Sequence, residues 1–118
     1  MQYMLLIYQD ENALSQNERE QCYQESAQYA RELNADQRYV LAAPLHPTST
    51  ATSVRMRDGK RLVTDGPFAE TREQLGGFFL VNADNLDEAI RIASQVPAGK
   101  WGTVEIRPVI EVPSLPTV

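Results

Sequence analysis

The sequence predicts an α+β domain in which two helices cover one face of an antiparallel sheet, and three observations predict it. Two runs, residues 3–8 and 77–82, are apolar at odd and even positions alike, which is typical of strands buried on both faces. A helix-capping pattern and a segment with helical spacing follow each run. An Asp-Gly pair between two alternating segments predicts a hairpin in the middle of the chain.

The two predicted helices begin at similar capping sequences. In Ser-Gln-Asn-Glu at residues 15–18, the Ser15 hydroxyl can accept from the amide of Glu18, whose carboxylate reaches back. Residues 85–88, Asn-Leu-Asp-Glu, repeat the device before a helix that ends at Pro97 and Gly99. The predicted inner faces are Cys22, Ser26, Tyr29, Ala30 and Leu33 in the first helix, and Leu86, Ala89, Ile90, Ala93 and Val96 in the second.

The remaining strands complete a recognisable order. Residues 39–45 form a second strand closed by Pro44, and residues 103–112 alternate as a last strand. The order β-α-β-hairpin-β-α-β is the ferredoxin-like pattern with an inserted hairpin. We therefore expect one domain over residues 1–112 and an extended C-terminal tail over residues 113–118.

The Asp58-Gly59 turn fixes the register of the hairpin, because a two-residue loop leaves one pairing. The predicted pairs are Arg57 with Lys60, Arg55 with Leu62, Val54 with Val63, and Thr52 with Asp65. One face then carries both valines. The opposite face is mostly polar, so we expect it to be solvated or functional.

Two helices can cover only one face of the sheet, yet the strands at residues 3–8 and 77–82 are apolar on both faces. The second face therefore needs a cover. We expect a homodimer in which this open sheet face packs against the same face of a second copy. The alternative is a monomer whose own loops and proline-containing tail cover that face.

Composition excludes several classes of protein. A formal charge of −5 argues against a nucleic-acid partner. The apolar start, residues 1–8, lacks a basic region and is too short for a signal peptide or a spanning helix, so we expect no membrane association. One cysteine, Cys22, cannot form an internal disulfide, which fits a cytoplasmic protein.

Basic and acidic side chains are mixed in the middle of the chain, between residues 55 and 73. A mixture of signs suits a small polar or anionic ligand better than a polyanion. The alternative is a solvated hairpin whose scattered charges have no ligand.

Three segments resemble a known family. The stretch "VTDGPFAETREQLGGFFLV", the preceding "TSVRMRDGK" and the later "DNLDEAIRIASQVP" are similar to the DGPF branch of the YCII-related proteins, over roughly residues 1–109. The resemblance implies the dimeric α+β-barrel version of the ferredoxin-like fold. In YCII-related proteins a His–Asp pair with its histidine on the first helix is the suspected catalytic couple. This chain departs from that pattern, because its only histidine, His46, follows the second strand.

The predicted site is a pocket between helices and sheet. His46 and Asp65 are its candidate acid–base couple, since histidine titrates near neutrality and a carboxylate can orient it. The candidate ligand-binding residues are Tyr8, Arg55, Glu70 and Arg107. Each has a plainer alternative: an exposed loop histidine, an Asp65 that bonds to its own turn two residues on, surface charges, and a Tyr8 that packs in the core.

Two functions remain open. The first is a homodimeric small-molecule-binding domain, with cofactor-free acid–base chemistry if it is an enzyme, because no cofactor fingerprint is present. One cysteine and one histidine argue against a thiolate or imidazole metal site, and a hard cation held by carboxylates stays open. The second, implied by the resemblance, is a non-enzymatic regulatory or interaction module associated with an extracytoplasmic-function sigma factor.

Overall fold

The computed structural model of the protein describes residues 1–116. Its elements are β1 (Gln2–Gln9), α1 (Gln16–Ala35), β2 (Tyr39–Pro44), β3 (Thr52–Arg57), β4 (Lys60–Asp65), β5 (Gln74–Asn82), α2 (Leu86–Ser94) and β6 (Gly102–Pro108). Four strands form an antiparallel sheet in the order β2-β5-β1-β6, and within residues 1–116 β3 pairs only with β4. The predicted α+β fold, with two helices, a ferredoxin-like sheet and a separate hairpin, is confirmed.

The core lies between the helices and one face of the sheet, called here the inner face. Along β1, Tyr3, Leu5 and Ile7 are buried while their neighbours are half-buried, as the two-residue period of a strand requires. Leu5 and Val81, on the two central strands, have no accessible surface. The opposite face, called the outer face, carries half-buried apolar side chains of the same strands: Met4, Leu6, Phe78 and Leu80.

The capping box of α1 is confirmed in full. The Glu18 amide donates to Ser15 Oγ over 3.2 Å, and the Ser15 amide donates to Glu18 Oε1 over 2.9 Å. In α2 the device differs: Asn85 Oδ1 accepts from the Glu88 amide, while Glu88 Oε1 accepts from the amide of Asp84 instead of Asn85.

The predicted inner face of α2 is wrong at two positions. Leu86 and Ile90 are 52% and 46% exposed, and Ile92 is buried in their place. The cause is that Ala89, Ile92, Ala93 and Val96 follow the helical period as well as the predicted set does, so spacing alone left two faces available. Likewise β6 ends at Pro108 and not at residue 112, after which the Val109 amide donates to Gln2 O.

The hairpin has the predicted register, with Val54 opposite Val63 and Arg55 opposite Leu62. We call residues 52–65 the arm, because its two strands pack chiefly on each other. Both of its faces are exposed, and Val54 and Val63 are 59% and 54% accessible. The described residues have a radius of gyration of 15.9 Å, whereas a compact chain of this length would have about 13 Å. The arm therefore projects from the domain.

Neither helix described in residues 1–116 has the length and apolar character needed to cross a membrane. The predicted tail begins in the described part, where Leu115 is exposed and its amide donates to Val112 O. Residues 117 and 118 lie outside the described residues.

Candidate functional site

A cavity of about 300 Å³ lies between α1 and the inner face of the sheet. Its walls come from α1, β1, β2, β5 and the 3₁₀ turn Pro97–Trp101. Many of the side chains that line it are small, which is why a space remains between helix and sheet. They are Ser26, Ala27 and Ala30 of α1, Ala42 and Ala43 of β2, Gly76 and Gly77 of β5, and Ala98.

The backbone at the floor of the cavity is irregular. Between β1 and β5 the register shifts, since Ile7 pairs with Gly77 and Tyr8 with Leu75, leaving Gly76 unpaired in that ladder. A Cβ on Gly77 would lie 2.9 Å from the carbonyl oxygen of Ala43, so only glycine lets β2 approach this closely. The bulge and the two glycines shape this end of the cavity.

The polar groups of the cavity are few and uncharged. Cys22, Ser26, Tyr23, Tyr39 and Gln9 contribute them, and no Asp, Glu, Lys, Arg or His is among the lining residues. Burial raises the pKa of the Cys22 thiol, against the opposing effect of the Ser26 hydrogen bond, so the thiol is protonated at neutral pH. This is a predominantly apolar slot, as small-molecule sites commonly are.

A wider groove of about 710 Å³ adjoins the cavity, and Tyr23 and Pro44 line both. The groove holds titratable side chains: His46, Glu11 and Arg19. Glu11 is fixed by Thr48, whose amide and hydroxyl donate to its two carboxylate oxygens over 2.7 and 2.9 Å. Arg19 is fixed by donating to the carbonyl oxygen of Glu11 over 2.8 Å. The apolar cavity therefore lies next to a groove that carries charged side chains.

The structure does not bring the two predicted catalytic residues together. His46 is exposed in the groove, while Asp65 ends β4 at the base of the arm. Within residues 1–116 no hydrogen bond or ion pair joins them, and the Asp65 carboxylate makes no hydrogen bond to its own turn. The residue two positions on is Pro67, which has no N–H to donate. The turn is held instead by Gly66, whose amide donates to Ala51 O over 2.8 Å.

The predicted ligand-binding residues also lie outside the cavity. Arg55, on the arm, places its guanidinium 5.5 Å from the ring centre of Phe68, and Glu70 is exposed in the following loop. Tyr8 and Arg107 lie at the outer face, where both contact Glu105: the Tyr8 hydroxyl donates over 3.3 Å and Arg107 pairs over 3.6 Å. Partial burial and the Glu105 carboxylate raise the pKa of Tyr8, and Arg107 opposes this.

This chain matches a known protein family over nearly its whole length. The model of the YCII-related domain matches residues 1–113, which include every residue of the cavity and the groove. The chain belongs to the YCII-related domain family.

One relative and one solved structure are similar to this YCII-related domain. An uncharacterised protein of Rhizobium meliloti (strain 1021), R00369, is 40% identical over 117 residues, covering 92% of this chain and 91% of that protein. A similar solved structure is the 5-chloro-2-hydroxyhydroquinone dehydrochlorinase of Burkholderia phenoliruptrix AC1100, in complex with 2,5-dihydroxybenzoquinone. It is 15% identical, has a TM-score of 0.56, and the match covers 95% of this chain and 96% of that one. At that identity the likeness shows the fold alone.

Sequence reasoning missed the residues that line the cavity and the charged residues that share the groove with His46. One signal was present: Ser26, Ala27 and Ala30 put small side chains on α1, and Ala42 and Ala43 do the same on β2. Small residues on two facing elements leave a gap. For Glu11 and Arg19 there was no comparable signal, because their positions depend on how the loop after β1 returns to Thr48.

Proposed function

We propose that this YCII-related protein is a homodimeric domain that binds a small, ring-sized molecule in the cavity between α1 and the sheet. The observation that carries the proposal is the cavity itself, whose volume of about 300 Å³ reaches the lower end of the range for ligand sites. Its apolar walls suit a flat body, and the groove beside it can receive polar substituents. The dihydroxybenzoquinone bound to the structurally similar dehydrochlorinase supports a ligand of this size.

The proposed chemistry is cofactor-free proton transfer at the mouth of the cavity. His46 is the proton-transfer group, because histidine is the side chain whose ordinary pKa lies nearest neutrality. Its carboxylate partner is Glu11, which lines the same groove, in place of the Asp65 expected from the sequence. Arg19 supplies a positive charge there for a substituent that becomes anionic when its proton leaves.

The proposed dimer uses the outer face. Met4, Leu6, Phe78 and Leu80 form a continuous apolar surface there, with Leu80 opposite both Met4 and Leu41. A second copy is the simplest cover for such a surface, because a two-fold interface joins like patches. We also assign the chain to the DGPF branch of the family, on the Asp65-Gly66-Pro67-Phe68 string.

A cavity-filling pair of variants tests the binding function. Ala30→Leu places a larger side chain in the cavity, whereas Ala35→Leu makes the same change at the exposed end of α1. We expect a set of neutral aromatic fragments to shift the amide resonances of Ala42, Gly76 and Gly77 in the wild type and in Ala35→Leu, and not in Ala30→Leu. Fragments that leave these resonances unmoved in the wild type would contradict the proposal.

The arm favours a second candidate function, that of a protein-interaction module. Large apolar surfaces are exposed on or beside the arm, whose strands form a sheet of their own, at Val54, Met56, Leu62, Val63 and Phe68, and Phe68 is 79% accessible. The partner class proposed from the family resemblance is an extracytoplasmic-function sigma factor. Titration of such a sigma factor from the same genome should give binding that Val54→Thr with Val63→Thr weakens. Unchanged affinity in the double variant would rule out the arm as the contact.

A further inference from the structure

One side chain of the cavity has no partner. Gln9 is the last residue of β1, and its Oε1 atom is shielded from water and accepts no hydrogen bond from the described residues, 1–116. The amide rests against Gly76, where a Cβ would lie 3.3 Å from Gln9 Nε2 and 3.5 Å from Cγ. The bulge at Gly76 therefore makes the room in which this amide sits.

An amide in this position is an unfavourable choice for stability alone. Buried polar groups in folded proteins are almost always paired, and an unpaired one lowers stability because its hydration is lost without replacement. A leucine or methionine at residue 9 would continue the apolar wall that Ile7 and Phe79 begin. A partner that enters the cavity from outside the chain could supply the missing hydrogen bond.

The surroundings limit the chemistry of that partner. A charged ligand would lose its hydration among lining residues that include no ionic side chain, so the cavity selects an uncharged one. This narrows the polar or anionic ligand expected from the sequence. Turning the last side-chain torsion of Gln9 exchanges oxygen and nitrogen, so the amide can meet a group that both donates and accepts. A hydroxyl does both.

We infer that Gln9 is the polar contact of the bound molecule, and that this molecule is an uncharged ring compound carrying a hydroxyl group directed at the β1–β5 bulge. The inference rests on the proposed binding function and adds the class of ligand and the residue that selects it. The apolar walls hold the ring, and Gln9 distinguishes a hydroxylated ring from a plain hydrocarbon.

Three probes of similar size test this on the full chain: hydroquinone, toluene and benzoate. In the wild type, hydroquinone should bind about fivefold to tenfold more tightly than toluene, as one added hydrogen bond allows, and benzoate should bind weakest. Hydroquinone, but not toluene, should shift the side-chain NH₂ resonances of Gln9. That last measurement needs no variant.

Gln9→Met removes the amide at nearly constant shape, and Gln24→Met makes the same change on the exposed surface of α1. Gln9→Met should lower the affinity for hydroquinone about fivefold to tenfold, leave toluene unchanged and raise the melting temperature of the free protein. A merely structural glutamine would lower that temperature. Gln24→Met should change none of these quantities.

The outcomes separate the two proposals. If neither hydroquinone nor toluene moves the resonances of cavity residues, the binding function itself is wrong. If toluene binds and Gln9→Met leaves hydroquinone affinity intact, the cavity is a site and the role of Gln9 is overturned. If benzoate binds more tightly than hydroquinone, the ligand is not uncharged.

Discussion

Single glycines decide how closely the strands of this sheet approach each other. At Gly102, where β6 starts opposite Gln9, the backbone is extended and a Cβ would overlap the carbonyl oxygen of Tyr8. At Gly59, in the hairpin turn, the reverse holds: φ is +73° and no atom lies within 4 Å of a Cβ. The same residue type is therefore required at one position by space and at the other by backbone conformation.

Alanine at these two positions separates the two requirements. Gly102→Ala should lower the free energy of unfolding by about 2–3 kcal/mol, because the backbone of β1 or β6 must shift to admit the methyl group. Gly59→Ala should lower it by about 1 kcal/mol, which is the strain of a positive φ. Urea unfolding measures both, and equal losses would show that the close approach of the two strands is not rigid.

At the scale of elements, the parts predicted correctly are those fixed by local chemistry. The capping box at Ser15 begins α1, and the Asp58-Gly59 turn sets every pair of the hairpin, because each depends on a few neighbouring residues. The face of α2 was mispredicted because Ile90 and Ile92 both satisfy the helical period, and contact with the sheet chooses between them. Capping and turn residues therefore define where an element begins and ends, whereas tertiary packing determines which face of a helix is buried.

A buried hydrogen bond joins the two helices. The Tyr29 hydroxyl of α1 donates to the Ile92 carbonyl oxygen of α2 over 2.7 Å, and the ring packs at a tilt on Phe79. Burial, with a smaller contribution from Glu32, raises the pKa of Tyr29 to about 12 from an ordinary value of 10. The folded chain therefore keeps this proton at a pH where the unfolded chain releases it.

Tyr29→Phe should lower the free energy of unfolding by about 1 kcal/mol at pH 8, because the hydrogen bond is lost. The difference in free energy of unfolding between the wild type and Tyr29→Phe should have its full value below pH 10. It should shrink as the pH rises from 10 toward 12, because ionisation of Tyr29 stabilises the unfolded wild-type chain. Urea unfolding across this range measures it. Tyr23→Phe, at an exposed position, is the control, and a gap constant with pH would contradict the argument.

For the whole molecule, the outer face determines the proposed state of assembly. Leu80 lies at its centre on β5, while Leu86 is exposed on α2 on the other side of the sheet. Leu80→Lys should dissociate the dimer by placing a charge in the apolar interface, and Leu86→Lys should leave it intact. Sedimentation equilibrium reports the mass directly. A wild-type protein that sediments at its chain mass of 13.3 kDa would exclude the dimer.

The site was less predictable than the fold because it depends on the whole molecule. The sequence indicated a pocket between helices and sheet, and His46 lies at the mouth of one. It did not indicate that Glu11, and not Asp65, would share that groove, because the position of Asp65 is set by its place at the end of β4 and that of Glu11 by its hydrogen bonds with Thr48. Nor could it show that Gln9 would be left unpaired, which follows from a register shift at Gly76.

The arm has a consequence for how such a protein can diversify. Its base is closed by the amide of Gly66 on Ala51 O and by the Ser53 hydroxyl on Gly66 O, so the strands beyond are a self-contained insertion. Mutations there leave the core packing of the ferredoxin-like domain untouched, and so they escape most of the selection for stability. New recognition properties can evolve in the arm while the residues that line the cavity stay unchanged, and an engineer can graft a foreign hairpin between Ala51 and Gly66.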